Sequence, residues 1–103
     1  MKIIFNGYNC RLEASRYPAE FGGGTALYLL DAETGEPVAV CTVNLHPVQP
    51  PDGHVFIKDW SENEGICQCL IDAGVIEHTG HFEPAGFVQA DLCKLLINPE
   101  DLK

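Results

Sequence analysis

Glycine and proline interrupt this chain so often that only short elements fit between them: 10 Gly and 7 Pro in 103 residues. Tyr17-Pro18-Ala19-Glu20-Phe21 with the flexible Gly22-Gly23-Gly24 forms one break, and Ala32-Glu33-Thr34-Gly35-Glu36-Pro37 forms a second. His46-Pro47-Val48-Gln49-Pro50-Pro51-Asp52-Gly53 is a third, a loop that its prolines bar from a central strand. Gly74 and the turn Glu83-Pro84-Ala85-Gly86 supply the others.

The pieces between these breaks have readable periods. Residues 8–15 alternate, with Tyr8, Cys10, Leu12 and Ala14 on one face and Asn9, Arg11, Glu13 and Ser15 on the other, which predicts a half-buried strand. Residues 25–31 and 38–45 are rich in β-branched and aromatic side chains and predict a β-hairpin in which Gly35 takes the positive φ. Residues 54–58 predict a short apolar strand. Ser61-Glu62-Asn63-Glu64 fits a capping box, predicting a helix over 62–73 with Gly74 as its stop. Ile66, Cys67, Leu70 and Ile71 share one face of that helix, so Cys67 is expected buried and Cys69 accessible. Glu62 and Glu64 fall in its first turn, where the helix dipole favours each by about 0.3–1 kcal/mol.

Residues 75–82 and 87–97 predict two last strands, and the polar tail 98–103 is expected to fray. The order β-β-β-β-α-β-β implies one α+β domain over residues 1–103: an antiparallel sheet of five to six strands with one main helix packed on it. Folding a chain of this length buries roughly two thirds of its unfolded surface, enough for one core.

With 46% hydrophobic residues the chain is globular rather than disordered. No apolar run approaches the roughly 20 residues of a membrane span. Met1-Lys2-Ile3-Ile4-Phe5-Asn6-Gly7 lacks the apolar region and cleavage site of a signal peptide and reads as mature protein. Five cysteines, Cys10, Cys41, Cys67, Cys69 and Cys93, are an odd number without a secretory signal, which implies free thiols in a reducing cytoplasm.

Charge narrows the function. The chain carries 15 Asp and Glu against 6 Lys and Arg, a net −9, beyond the magnitude of about 2 to 8 that keeps a small domain soluble. Such a surface repels phosphates and attracts proteins whose working surface is basic. Lys2, Arg11, Arg16, Lys58, Lys94 and Lys103 are scattered, so direct nucleic-acid binding, which needs clustered cations, is excluded.

Catalytic and metal chemistries find weak support. Cys67-Gln68-Cys69 and His78-Thr79-Gly80-His81 are the nearest approaches to ligand pairs. On a helix the two thiols diverge, and on a strand the two histidines face opposite ways, so no metal site is expected. Cys69 sits among acids, which raise a thiol pKa, and no base is placed beside it. The clustered carboxylates Asp59, Glu62 and Glu64 are explained by helix capping. Gly22-Gly23-Gly24 lacks the Lys-Ser/Thr of a phosphate loop and reads as a bend. No catalytic residue and no cofactor are expected.

The acidic surface itself remains. Asp31, Glu33 and Glu36 ring the predicted hairpin tip, Asp59, Glu62 and Glu64 crowd the helix start around Trp60, and Glu83, Asp91, Glu100 and Asp101 are spread along the last third. This surface is either a solvated face or an interface for a basic groove. Trp60 either fills the core beneath the helix or anchors that interface.

Ala26-Leu27-Tyr28-Leu29-Leu30-Asp31, Thr34-Gly35-Glu36-Pro37, Thr42-Val43-Asn44-Leu45 and above all Phe56-Ile57-Lys58-Asp59-Trp60-Ser61-Glu62-Asn63-Glu64-Gly65 resemble a family of small acidic proteins carried by bacterial mobile elements and prophages. The likeness spans residues 17–96 and extends to type II-A anti-CRISPR proteins, inhibitors of an RNA-guided DNA nuclease. That resemblance implies a non-enzymatic inhibitor whose partner is the CRISPR effector nuclease; the cysteines place it in the cytoplasm, and a chain of this size with one helix and a sheet is expected to be a monomer. Such nucleases hold their guide–target duplex in a basic channel, and the expected contacts are Asp31, Glu33, Glu36, Asp59, Glu62 and Glu64. The alternative is a mobile-element accessory protein that binds another basic host or defence protein.

Overall fold

The alternation that begins at Tyr8 becomes strand β2 (Tyr8–Arg16) in a computed structural model that describes residues 2–102. Cys10 and Leu12 turn into the core as their spacing requires, whereas Tyr8 at the strand's start is exposed. Ahead of it lies a strand additional to those expected from the sequence, β1 (Lys2–Phe5), paired antiparallel with Ile3 opposite Cys10 and Phe5 opposite Tyr8. Asn6 and Gly7 both take positive φ, 51° and 81°, the conformation of a tight hairpin turn. Ile3 and Phe5 are buried, with Ile4 exposed between them.

The predicted hairpin forms from β3 (Thr25–Asp31) and β4 (Pro37–Val40), with Gly35 at φ 76°. The second strand is shorter than its 38–45 run because the chain changes sheets. Cys41 still donates its amide to the Leu27 carbonyl at 2.9 Å, but Val43 donates to Phe56 and Thr42 bridges to Ile57. Thr42 is buried at this crossing. Its Oγ1 accepts the Leu27 amide at 3.2 Å and lies 2.9 Å from the Tyr17 hydroxyl.

The second sheet contains β5 (His54–Ile57), β6 (Ile76–Ala85) and β7 (Val88–Leu95), with β7 in the middle. The molecule is therefore α+β and antiparallel, but the seven strands among the described residues lie in two sheets, ordered β1-β2-β3-β4 and β5-β7-β6, and five of them precede the helix. Glu83 and Pro84 belong to β6 rather than to a turn. Proline is tolerated there because β6 is an edge strand. The connection is Gly86-Phe87, with Gly86 at φ 71°.

The capping box does not form. Ser61 takes φ 53° and opens a single 3-10 turn, Ser61–Asn63, without capping it through its side chain. Helix α1 (Ile66–Asp72) starts only after Gly65 at φ 93°, so Glu62 and Glu64 lie outside its first turn, where the dipole would favour them. The left-handed residues at Ser61 and Gly65 prevent continuous helix from 62. The C-terminus behaves as predicted. Gly74 at φ 76° donates to the Ile71 carbonyl and Val75 donates to Leu70, the paired bonds of a Schellman stop.

Helix α1 buries Ile66, Cys67 and Leu70 and packs on β1 and β6. One core results, to which the first sheet gives Leu12, Leu27 and Leu29, the second Val55, Ile57 and Cys93, and the helix Ile66 and Leu70. The C-terminal segment does not fray over its described residues: Pro99–Leu102 forms a 3-10 turn against β2 with Leu102 packed on the core. Lys103, the last residue of that tail, lies outside the described residues. No helix among them is long and apolar enough to cross a membrane.

Candidate protein-binding surface

At the hairpin tip the three acids divide by role. Asp31 closes the turn, its Oδ1 accepting the amides of Glu33 at 2.8 Å and Thr34 at 3.1 Å, and it is half-buried. Thr34 Oγ1 accepts the Glu36 amide at 3.2 Å. This network spends the Asp31 carboxylate on the backbone and leaves the side chains of Glu33 and Glu36 exposed.

The second acidic group divides likewise. Asp59 Oδ1 accepts the Gly65 amide at 2.7 Å and anchors the entrance to α1. Glu62 and Glu64 are exposed. Lys58 Nζ donates to Glu62 Oε1 at 3.1 Å. Glu62's own backbone amide, then Lys58, hold its carboxyl below the usual carboxylate range. Trp60, half-buried, supplies the carbonyl that accepts the Asn63 amide at 3.0 Å.

Asn63 joins the two groups. It is buried, and its Nδ2 donates to the Val40 carbonyl at 2.6 Å, pinning the 3-10 turn to the edge strand β4. Between them runs an open groove of about 210 Å³ lined by Pro37, Val38, Ala39, Val40, Lys58, Glu62 and Asn63. A second depression, lined by Tyr8, Asp31, Glu36, Pro37 and Val38, shares Pro37 and Val38 with it. Acids distant in sequence thus flank one short edge strand, with Glu36 at one end and Glu62 alongside. Asp59 departs from this surface: its carboxylate lies within 4.8 Å of Cys67 Sγ and of the Asp91 carboxylate.

The weighed ligand pairs do not meet as pairs. Cys69 Sγ donates to the Ile4 carbonyl at 3.2 Å, and burial followed by Asp72 pushes its thiol pKa up. His78 pairs across the ladder with Cys93 and His81 with Leu92, so the two rings leave on opposite faces. Cys67 is buried as predicted, with its Sγ 3.9 Å from that of Cys93. The hydrogen bond it shares with Cys93 and then burial push the Cys67 thiol up. His78 Nε2 lies 3.0 Å from Asp91 Oδ1.

Gly22 and Gly23 take φ 105° and 67° and close a loop in which Tyr17 donates to the Gly24 carbonyl, the bend expected of them. The β6–β7 hairpin carries two exposed aromatics that the sequence pattern does not single out. Phe82 on β6 is half exposed, and Phe87, at the tip of the β6–β7 hairpin, is fully exposed. The signal for Phe87 was Gly86-Phe87 as the two-residue turn between alternating strands.

In comparisons with known proteins the chain matches no family model, no curated protein and no solved structure.

Proposed function

We propose that this chain is a non-enzymatic anti-CRISPR protein of the type II-A class, which binds the effector nuclease through an acidic surface and competes with nucleic acid for it. The observation that carries the reading is that exposed Glu36 and Glu62, each close in the chain to a further exposed acid, flank edge strand β4 in a chain of net charge −9. The resemblance of the 56–65 motif supplies the class. Asp31 and Asp59, whose oxygens hold backbone amides, shape the surface from behind.

A nuclease of this kind offers a complementary face, a basic channel built for a guide–target duplex. A standard interface of about 800 Å² per partner covers the β4 groove and both acidic groups. Opposite charge accelerates the encounter and makes it salt-sensitive. The action belongs in the bacterial cytoplasm, in keeping with five unpaired cysteines. A monomer suffices for it.

The test is DNA cleavage by purified type II-A nucleases with the protein added before or after guide RNA, at low and high salt. Inhibition that weakens with salt and with prior nucleic-acid loading supports the reading. No inhibition across several orthologues overturns it and favours the accessory-protein alternative.

A further inference from the structure

We infer that Cys67, His78 and Cys93, with Asp91 beside them, form a binding site for a single zinc-class divalent cation that ties α1 to the second sheet. The ligand atoms of Cys67, His78 and Cys93 all lie within 4.8 Å of one another. The two Sγ atoms are 3.9 Å apart, close to the roughly 3.8 Å that two sulfurs at 2.3 Å from a tetrahedral zinc require. Rigid elements supply every ligand: Cys67 comes from α1, Cys93 and Asp91 from central strand β7, and His78 from its cross-strand position on β6. A register shift follows His78, where bulges often re-aim a side chain next to a site.

A second observation points the same way. The carboxylates of Asp59 and Asp91 also converge within 4.8 Å of Cys67 Sγ and of each other. Neither pairs with Lys or Arg among the described residues; the Asp91 carboxylate meets the His78 ring instead. The two triads share Cys67, so thiol, imidazole and carboxylate donors crowd around its sulfur with no Lys or Arg among them. Thiolate sulfur with imidazole selects zinc-like ions over calcium or magnesium. Cys67 and Cys93 are buried, while the side chains of His78 and Asp91 retain 26% and 14% exposure, which leaves an entry path on their side.

Nδ1 of His78 accepts the Gly80 amide at 2.8 Å, so Nε2 is the nitrogen available to the ion and now carries the ring proton toward Asp91. On binding, each thiol gives its proton to solvent as an S–metal bond forms. The ring proton passes from Nε2 to Nδ1, and the Gly80 contact yields. Two protons are released per ion. This inference is independent of any nuclease.

The test uses the full chain, reduced and stripped of metal, titrated with Co²⁺ and then Zn²⁺. One Co²⁺ per chain is expected, with a thiolate charge-transfer band and the intense visible bands of tetrahedral cobalt, both abolished by Zn²⁺. Zn²⁺ is also expected to protect Cys67 and Cys93 from alkylation. Asp91→Asn weakens binding about 10- to 100-fold, and His78→Gln and Cys93→Ser at least as much, with circular dichroism checking the fold. Absence of the thiolate band in the folded wild-type chain overturns the inference. So do affinity unchanged in both His78→Gln and Cys93→Ser, and a Cys67–Cys93 disulfide that forms equally with or without Zn²⁺.

Discussion

The side-chain amide of Asn63 reaches 2.6 Å to the carbonyl of Val40, across 23 residues of sequence, and this bond ties the turn that carries Glu62 to edge strand β4. It gives the exposed edge of β4 a partner and seats Glu62 beside it. Asn63→Ala leaves a carbonyl and a cavity behind and is expected to cost about 1–3 kcal/mol in urea unfolding. Asn63→Asp places a carboxylate against that carbonyl and is expected to cost more than Asn63→Ala. Equal stability of all three chains would show that the bond contributes nothing.

Charge position, not net charge, should govern inhibition. Reversing Glu33, Glu36 and Glu62 to Lys takes the chain from −9 to −3, three changes of +2 each. Reversing exposed Glu20, Asp52 and Asp101 gives the same total. Both triples should fold, since exposed substitutions are usually within about 0.5 kcal/mol. The first is expected to weaken nuclease inhibition about tenfold or more and flatten its salt dependence; the second is expected to leave both near wild type. Equal losses in a cleavage titration would reduce the effect to bulk charge.

Thr42 predicts a coupled pair. Its hydroxyl accepts the Leu27 amide and meets Tyr17 where the chain crosses between sheets. Thr42→Val strands a buried amide and is expected to cost about 1–3 kcal/mol. Tyr17→Phe should cost about 1 kcal/mol, and the double variant less than the sum, because the two changes remove one shared bond. Strict additivity in denaturant titrations would separate the two groups.

The sequence was most legible where local chemistry decided the outcome. Gly35 turned the β3–β4 hairpin and Gly74 stopped the helix because a positive φ needs no distant partner. Strand β1 is equally local, since Asn6-Gly7 between alternating apolar residues is a strong hairpin signal. The capping box misled because Ser61-Glu62-Asn63-Glu64 has the right letters, while Ser61 bends to φ 53° and Asn63 is drawn to Val40. Tertiary contact overrode a local pattern there. The Cys67–His78–Cys93 cluster was invisible to spacing, because two hairpin strands and a helix bring it together and the register shift after His78 sets which ring faces inward. The 56–65 motif that carried the family resemblance proves in large part a folding device, through Asp59 to Gly65, Lys58 to Glu62 and Asn63 to Val40.

Asp59 allows its two roles to be separated. As an acceptor it holds the Gly65 amide at 2.7 Å; as a charge it faces the Asp91 carboxylate. Asp59→Ala removes the acceptor and should cost about 0.5–2 kcal/mol, in the range of a lost helix cap. Asp59→Asn keeps an acceptor oxygen and removes one of two facing negative charges, so in metal-free protein it should match or exceed wild-type stability. A cost for Asp59→Asn as large as for Asp59→Ala, in unfolding without metal, would mean that the charge itself holds the turn.

Alkaline pH tests the buried thiol at the sheet crossing. Cys41 is fully buried, and burial, with lesser contributions from Cys69 and Cys10, raises its pKa from 9.0 to about 12. An acid whose folded pKa lies above its unfolded value keeps its full contribution below the unfolded pKa. Between the two values the unfolded chain loses the proton that the native chain retains, so stability falls as pH rises. From about pH 9 to 12, this thiol alone should lower unfolding free energy by about 1.4 kcal/mol per pH unit. Tyr17, raised by burial, adds to the decline above its ordinary value of 10.0. Cys41→Ala should start less stable, having lost buried volume, yet decline less steeply over this range. Parallel pH profiles for Cys41→Ala and wild type, measured by urea titration in reductant, would show that Cys41 ionises as readily in the folded chain as in the unfolded one.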